Sequence, residues 1–268
     1  MTQPDELVRI LFVGDVVGTL GRKTLAALLP SLQAEHEADF TVVNGENAAG
    51  GVGITPKVAD EIFALGVDVI TLGNHAFRQR EIYPYLDGDD PIIRPANYLA
   101  SQPGRGSTVV EKNGVKLGVL NVSGNLFLDA AHPMFPAAER AVSRLHADTD
   151  LILVDVHAEA TSEKVALGWY LDGRVTCVVG THTHVPTADA RVLPEGTAYL
   201  TDAGMTGPRG GVIGVKREQA IERMVSGLPV RFSTSDQDPW LMGALITADQ
   251  QTGKATAIRQ LLVAADLP

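Results

Sequence analysis

Residues 175–184 read VTCVVGTHTH, and this stretch decides how the rest of the chain is interpreted. Its first half is apolar and rich in β-branched residues, which predicts a buried strand over residues 175–179. Side chains at i and i+2 of an extended segment point the same way, so His182 and His184 are expected to lie side by side. Two imidazoles held together without a metal would repel each other when protonated. The pair therefore favours a metal site at the end of this strand.

Four other apolar segments of the chain also end in polar residues that can bind metal. The residues at these ends are Asp15, Glu46 with Asn47, Asn74 with His75, and His157. Taken singly, each has a structural explanation: Asp15 could cap the helix that follows, and Glu46 could be a solvated loop residue. In open α/β sheets, however, ligands bind outside the carboxyl ends of the strands. Five such ends are therefore expected to surround one cleft.

The chemical types of these side chains indicate which metals would bind. Imidazole, carboxylate and amide oxygen suit Mn²⁺, Fe²⁺ or Zn²⁺, and the absence of cysteine and methionine ligands argues against copper and iron–sulfur chemistry. The expected ligands are Asp15, Glu46, Asn47, Asn74, His157, His182 and His184. This set is too large for one tetrahedral zinc ion. It fits two divalent ions that share Glu46, and two-metal sites serve hydrolytic displacement at phosphorus.

The remaining sequence predicts an alternation of strands and helices. The other predicted strands are residues 7–13, 40–43, 67–72, 107–111, 115–122, 151–157, 190–193, 197–201, 241–247 and 255–263. The predicted helices are residues 19–36, a helix that starts at Thr55-Pro56 and ends before Gly66, and residues 137–147, 162–171 and 217–224. Asn113-Gly114 is a strong hairpin signal. Strand–helix units followed by antiparallel strands predict an α/β fold in one domain, residues 1–268, with two packed sheets and helices outside.

The composition excludes several classes of protein. The 268 residues carry a formal charge of −10 and include 5% aromatic residues, so strong direct nucleic-acid binding is not expected. No stretch approaches the roughly 20 apolar residues that span a bilayer, so no membrane partner is expected. Residues 1–6 are acidic and do not resemble a signal peptide. The single cysteine, Cys177, cannot form an internal disulfide, and we therefore expect a cytoplasmic protein.

The order of these motifs resembles that of the calcineurin-like metallophosphoesterases, and most closely their YmdB-like bacterial branch. The segments that carry the resemblance are Gly14-Asp15-Val16-Val17-Gly18, Asn44-Gly45-Glu46-Asn47, Gly73-Asn74-His75, DVHAEATSEK at residues 155–164, and Thr181-His182-Thr183-His184. Val17, Glu46, Ala76 and Thr181 stand where the general superfamily pattern has histidine, aspartate, an acid and glycine. The YmdB-like branch shares these departures, which leave the first metal with one imidazole fewer.

The resemblance implies a four-layer α/β/β/α sandwich with mixed sheets that acts as a metal-dependent phosphodiesterase. One ion would take Asp15, Glu46, Asn47 and His184, and the other would take Glu46, Asn74, His157 and His182. A hydroxide bound to two divalent ions, iron or manganese first and zinc second, would attack phosphorus. His75 would donate a proton to the leaving oxygen. The implied substrates are small phosphodiesters, namely 2′,3′-cyclic nucleotides and also 3′,5′-cyclic ones.

The same residues are compatible with two other functions. A phosphomonoesterase would use the same metal core, because both reactions need the same nucleophile. A regulatory binding protein could instead retain the metal as a structural or sensing element. The oligomeric state, monomer or homo-oligomer, is also open.

Several further residues have structural interpretations. Glu159, Ser162 and Lys164 are expected to begin a helix, Asp202 to lie in a turn, and Cys177 to lie in the core. The segment 204–211 is interpreted as a loop, with a mobile flap in which Arg209 contacts substrate as the alternative. Gly18, Gly21 and Arg22 precede or begin a helix, where either phosphate binding or a capping and surface role fits.

Overall fold

Two β-sheets packed face to face form the centre of the computed structural model, which describes residues 7–267; the segment 1–6 considered above lies outside the described residues. The strands are β1 (Leu7–Val13), β2 (Asp15–Val16), β3 (Phe40–Asn44), β4 (Val69–Thr71), β5 (Ile92–Ile93), β6 (Ser107–Lys112), β7 (Val115–Ser123), β8 (Ile152–His157), β9 (Cys177–Thr181), β10 (Arg191–Val192), β11 (Ala198–Leu200), β12 (Met205–Pro208), β13 (Pro239–Asp249) and β14 (Ala255–Ala264). The helices are α1 (Gly18–Glu35), α2 (Pro56–Phe63), α3 (Tyr83–Leu86), α4 (Met134–Leu145), α5 (Thr161–Tyr170) and α6 (Arg217–Ser226). Among residues 7–267, no helix has the length and apolar character needed to cross a membrane.

Both sheets are mixed, with a run of four parallel strands joined to antiparallel neighbours. The larger sheet has the order β2-β12-β13-β1-β3-β4-β5, and β14 pairs with β13 as its eighth strand. The smaller sheet has the order β10-β11-β9-β8-β7-β6. Strands β1, β3, β4 and β5 run parallel, as do β7, β8, β9 and β11. A hydrogen bond of 2.9 Å from Asn44 at the end of β3 to Asp155 near the end of β8 joins the carboxyl ends of both sets at one edge.

The alternation of side chains along the strands separates three buried apolar clusters. On β1, Ile10 and Phe12 face the second sheet, whereas Leu11 and Val13 pack in the cluster that includes α1 and α2. On β8, Leu153 lies between the sheets, and its neighbours pack in the cluster that includes α4 and α5. Helix, sheet, sheet and helix therefore form four layers. The predicted α/β/β/α fold is confirmed.

Predicted turn and cap chemistry is present at two places. Asn113 and Gly114 both have positive φ, 54° and 79°, and they join β6 to β7 as a two-residue hairpin of this type requires. At the start of α2, Thr55 Oγ1 accepts a hydrogen bond from Val58 N–H at 3.3 Å. The turn between β6 and β7 and the start of α2 therefore lie where the sequence predicts them.

The segment 204–211 differs from the expected loop. Its first half forms β12, whose Met205 pairs with Asp15 of β2 in parallel register. Gly14 allows this close approach, because a Cβ there would overlap the carbonyl oxygen of Gly204. A four-residue strand has no measurable alternation, which explains why the pattern does not reveal it. As a consequence, Asp15 is held in a buried strand at the edge of the sandwich.

Candidate metal centre

The five strand ends bring all eight predicted site residues into one cluster at the carboxyl edge of the sandwich. The residues are Asp15, Glu46, Asn47, Asn74, His75, His157, His182 and His184. His157 Nε2 is 3.2 Å from Glu46 Oε1 and 2.9 Å from Asn74 Oδ1. The same atom is 3.1 Å from His182 Nδ1. Ligand atoms of Glu46, His157 and His182 all lie within 4.8 Å of one another, a spacing that suits a shared metal ion.

A hydrogen-bond relay behind His157 fixes the orientation of its ring. Thr181, the last residue of β9, donates its hydroxyl proton to Asp155 Oδ1 at 2.6 Å. The same hydroxyl therefore accepts from Nδ1–H of His157 at 2.9 Å. Nε2 of His157 then faces the side-chain oxygens of Glu46 and Asn74, which are acceptors. A cation, either a proton or a metal ion, has to lie among these atoms, and metal-binding histidines are commonly oriented through such partners.

Burial and mutual contact set different charge states within this half of the cluster. Burial alone would lower the pKa of His157, but the carboxylate of Glu46 outweighs it and raises that pKa to about 9. Burial would likewise raise the pKa of Glu46, but the charge of His157 holds it well below its usual range. Burial, followed by the charge of His157, lowers the pKa of His182 to about 3. An ionised carboxylate and a neutral imidazole are thus available to a metal ion.

The second half of the cluster contains a buried acceptor without a partner. Asp15 is fully buried, and its Oδ1 has no hydrogen-bond partner among the described residues. His184 Nε2 lies 3.8 Å from this oxygen. Burial raises the pKa of Asp15 to about 6, because water no longer solvates its charge. A buried unpaired group of this kind costs about 1–3 kcal/mol. A divalent cation would satisfy the oxygen, and carboxylate with imidazole is a suitable donor set.

The two histidines of His182-Thr183-His184 both have a left-handed backbone conformation. Both have positive φ, 92° and 64°, which is unfavourable for residues with a Cβ. The expected extended conformation with parallel side chains is therefore wrong here. Nδ1–H of His184 donates to the carbonyl oxygen of Ile213 at 2.9 Å, which leaves Nε2 facing the cluster. Nε2 of His182 lies 3.0 Å from Glu159 Oε2, which leaves Nδ1 facing the cluster.

Asn47 and His75 lie between the two halves. Asn47 Oδ1 accepts from Nδ1–H of His75 at 2.7 Å, and Asn47 Nδ2 lies 3.1 Å from His184 Nε2. Glu46 Oε1 is 3.4 Å from the same Nδ1 of His75, whose side chain is 25% exposed. Nε2 of His75 has no partner among residues 7–267. The amide oxygen of Asn47 has to turn away from His75 to serve as a metal ligand, so this assignment stays a prediction.

Gly73 provides the space in which the cluster assembles. A Cβ on Gly73 would overlap both Glu46 Oε2 and His157 Nε2. Only glycine fits at this position while Glu46 and His157 keep their contact. The glycine that precedes Asn74-His75 in the sequence therefore has a steric explanation.

Sequence reasoning misses Asp155, which lies behind the cluster. Its Oδ2 accepts hydrogen bonds from Asn44 Nδ2 at 2.9 Å and from the hydroxyl of Thr71. Burial raises the pKa of Asp155, and the charge of His157 and the donated hydrogen bonds oppose that rise. A signal for this residue is present in the sequence, because Asp155 precedes His157 by two positions in a strand and so shares its face.

A buried ion pair anchors the backbone between the two histidines. Lys164 Nζ lies 2.7 Å from Asp202 Oδ2, and both side chains are fully buried. Asp202 Oδ2 also accepts from Thr183 N–H at 3.3 Å, and Oδ1 accepts from Gly204 N–H at 2.8 Å. Lys164 and Asp202 lie at the helix start and after the strand as expected. Their joint role is a finding of the structure, because nothing in the sequence connects them.

Two further sequence interpretations can be compared with the structure. Arg22 forms an ion pair with Glu61 at 2.8 Å, which is a surface role rather than contact with the cluster. Cys177 is buried in the apolar cluster between the sheets, as expected.

A four-layer sandwich with histidines, carboxylates and amides at the carboxyl edge of its strands is typical of the metallophosphoesterase class. The chain belongs to the YmdB-like protein family, whose model matches residues 11–261. A relative from Bacillus subtilis (strain 168), named 2′,3′-cyclic-nucleotide 2′-phosphodiesterase, is 46% identical over 256 residues. That match covers 96% of this chain and 97% of the relative. The predicted family is therefore confirmed.

Two crystal structures share the fold over nearly the whole chain. A novel phosphatase from Mycoplasma pneumoniae has a TM-score of 0.90 and 36% identity, and the match covers 98% of this chain and 95% of that one. A hypothetical protein from Thermus thermophilus has a TM-score of 0.89 and 38% identity, and the match covers 97% of this chain and 100% of that one.

Thr181→Val is expected to lower metal affinity about 10- to 100-fold, the usual effect of removing the partner of a metal-binding histidine. Valine is close to threonine in shape but can neither accept from His157 nor donate to Asp155. The measurement is a titration of metal-free protein with Mn²⁺ or Zn²⁺ in a metal buffer. Thr176→Val is the control, because its buried hydroxyl accepts from Ile152 N–H at 2.9 Å instead. Equal affinities in the two variants would contradict the relay.

Lys164→Met is expected to lower the free energy of unfolding by about 3–5 kcal/mol, because it leaves the carboxylate of Asp202 buried and unpaired. Adding Asp202→Asn should recover part of this loss, since the unpaired charge disappears while an acceptor oxygen stays. Urea unfolding curves measure both effects. The control is Arg174→Met, which breaks the half-exposed pair with Glu139 at 2.6 Å and should cost little. A Lys164→Met loss no larger than the control's would show that the buried pair does not anchor this segment.

Proposed function

We propose that this protein is a metal-dependent phosphodiesterase that hydrolyses cyclic nucleotides. The observation that carries the proposal is the arrangement of acceptor atoms around His157 Nε2, together with the unpaired buried oxygen of Asp15. Such a group of acceptors is unfavourable unless cations lie among them. Names of the family's relatives, a cyclic-nucleotide phosphodiesterase and a phosphatase, support phosphate-ester chemistry at this site.

Two divalent ions are proposed, with iron or manganese first and zinc as the alternative. One ion is assigned to Asp15, Glu46, Asn47 and His184, and the other to Glu46, Asn74, His157 and His182. Glu46 suits the shared position because its Oε1 lies 3.2 Å from His157 Nε2 and 3.3 Å from Asn47 Nδ2. Asn47 Nδ2 in turn lies 3.1 Å from His184 Nε2 in the other half of the cluster. When bound, two such ions lower the pKa of a coordinated water and offset negative charge on phosphate oxygens.

The chain's own residues contribute orientation and proton transfer. Asp155 and Thr181 hold His157 so that Nε2 faces the cluster. Glu159 contacts Nε2 of His182, so that Nδ1 of that ring faces the cluster. His75 is proposed as the proton donor to the leaving oxygen, because its Nδ1 lies 3.4 Å from Glu46 Oε1 while its Nε2 has no partner among residues 7–267. A proton carried at that Nε2 could pass to an alkoxide as the phosphorus–oxygen bond breaks.

The proposed substrates follow from the family and from the chemistry of the leaving group. The Bacillus subtilis relative is named for 2′,3′-cyclic nucleotides, and we extend the proposal to 3′,5′-cyclic ones. Both release a ribose hydroxyl, which is a basic leaving group that benefits from a proton donor. A cytoplasmic location stays a prediction, and no oligomeric state is proposed.

The function is tested by hydrolysis assays with metal-stripped and Mn²⁺-reloaded protein. We expect turnover of 2′,3′-cyclic adenosine monophosphate and bis-p-nitrophenyl phosphate only after reloading, and slower turnover of p-nitrophenyl phosphate. Faster monoester hydrolysis would favour the phosphomonoesterase alternative. A well-folded, metal-loaded protein that hydrolyses none of the three would contradict an enzymatic function and favour a regulatory role.

His75→Ala is expected to reduce turnover of the cyclic nucleotide about 10²- to 10⁴-fold, the usual contribution of a general acid. The loss on bis-p-nitrophenyl phosphate should be smaller, since p-nitrophenolate leaves readily without a proton. Metal analysis of the variant checks that both ions are retained. The control is His146→Ala, which removes an exposed histidine bonded to Asp150. Equal losses on both substrates with the metals intact would exclude proton donation by His75.

A further inference from the structure

An apolar cleft opens directly beside the metal centre. Its volume is about 330 Å³, and His184 forms one of its walls. A second wall is Ile213, whose carbonyl oxygen accepts the hydrogen bond from His184 Nδ1–H at 2.9 Å. Any group that fills the cleft therefore contacts the cluster at His184. The volume falls at the lower end of the roughly 300–1,000 Å³ range of ligand pockets.

The walls of this cleft expose apolar side chains next to a polar site. Val185 and Ile213 are 57% and 53% exposed, whereas Met205 and Met242 are buried and form its floor. Methionine adapts its shape to flat aromatic ligands and makes favourable contacts with their rings. Exposed apolar surface beside a polar centre is typical of a binding site. These four side chains would pack against a planar, apolar group.

Ile213 has a strained backbone conformation that the surrounding turn maintains. It has a φ of 44°, which is a genuine outlier for a β-branched residue. Val212 and Val215 hold the turn by exchanging backbone hydrogen bonds of 2.8 and 3.0 Å. Strain of this kind tends to be kept at binding sites. The turn presents Ile213 to the cleft at a local cost in energy.

Arg209 supplies a positive charge at the same cleft. Its guanidinium lies 4.4 Å from the centre of the Trp240 ring. The carbonyl oxygen of Asp238 accepts from Arg209 N–H at 2.9 Å, but its carboxylate accepts from Trp240 Nε1–H at 2.8 Å instead. Among residues 7–267, no carboxylate forms an ion pair with Arg209. A planar guanidinium with free N–H groups is well suited to bond acceptor atoms on the edge of a nucleobase.

From these observations we infer that the cleft is the nucleoside subsite of the enzyme. The base packs on Met205 and Met242 between Val185 and Ile213, and Arg209 donates to acceptor atoms on the edge of the base. The phosphate then lies at the metal centre, which shares His184 with the cleft. This inference rests on the proposed function and adds the part of the molecule that recognises the base.

The first test compares a cyclic diester that carries a nucleoside with one that does not. They are 2′,3′-cyclic adenosine monophosphate and ethylene glycol cyclic phosphate, which has neither base nor ribose. In Arg209→Ala and in Val185→Asp, the ratio of kcat/KM for the nucleotide over the base-free ester should fall about tenfold or more, as for a lost hydrogen bond from a charged donor. The fall should come mainly from KM. The control is Arg191→Ala, another exposed arginine, near the Trp169 ring, and it should keep the ratio of the unmodified protein.

The second test measures binding without turnover. The chain has two tryptophans, so Trp169→Phe leaves Trp240 as the only tryptophan, and its emission is excited selectively. Adenosine 3′-monophosphate should change its emission in a saturable way, inorganic phosphate should not, and Arg209→Ala should abolish the change. The inference would be overturned if Arg209→Ala left the kcat/KM ratio of nucleotide over base-free ester unchanged. It would also be overturned if adenosine 3′-monophosphate did not change the emission of Trp240. An emission that varies with protein concentration alone would also overturn it, because a second copy of the chain would then cover the cleft.

The two proposals can fail separately. If neither diester is hydrolysed by metal-loaded protein, the proposed phosphodiesterase function fails, and the Trp240 titration still decides whether the cleft binds the nucleoside. If both diesters are hydrolysed and Arg209→Ala leaves their ratio unchanged, the function stands and the subsite is wrong.

Discussion

The carboxylate of Asp155, buried between the two sheets, makes the interaction on which the rest of the site depends. It accepts hydrogen bonds from Asn44 and Thr71 of the larger sheet and from Thr181 of the smaller one. A buried carboxylate is tolerated only when such donors replace water. The sheets therefore have to meet in one alignment before its hydrogen bonds are complete. That alignment also directs His157 toward the metal ligands of the larger sheet.

Near Asp155 lie buried carboxylates and strained backbone, both of which are unfavourable on their own. Asp15 and Glu46 are fully buried, and His182 and His184 hold positive φ angles. The three apolar clusters supply the stabilisation that keeps these groups in place, since apolar burial is the largest favourable contribution to folding. Unpaired acceptors and strained backbone thus coincide at one edge of the sandwich. Departures from local preference of this kind are expected where a protein binds its ligands.

The sequence predicts the fold and the cluster because both follow local rules. Apolar runs locate the central strands, and the polar residues at their ends share one edge once the strands are parallel. Other features depend on contacts that no local pattern records. Strand β12 is too short to show alternation, and Lys164 meets Asp202 across 38 positions. The backbone of His182 and His184 departs from the extended form, and the partners that then orient the two rings lie at Glu159 and Ile213, outside the motif.

The pairing of β1 with β13 has a consequence for synthesis of the chain. β1 is made before its antiparallel neighbour, which spans Pro239–Asp249. The cluster itself joins residues up to 167 positions apart, as in the contact of His182 N–H with Asp15. Such high contact order means that these pairings form late and slowly. During synthesis β1 therefore stays without its antiparallel neighbour, and the larger sheet stays incomplete, until residues 239–249 have been made.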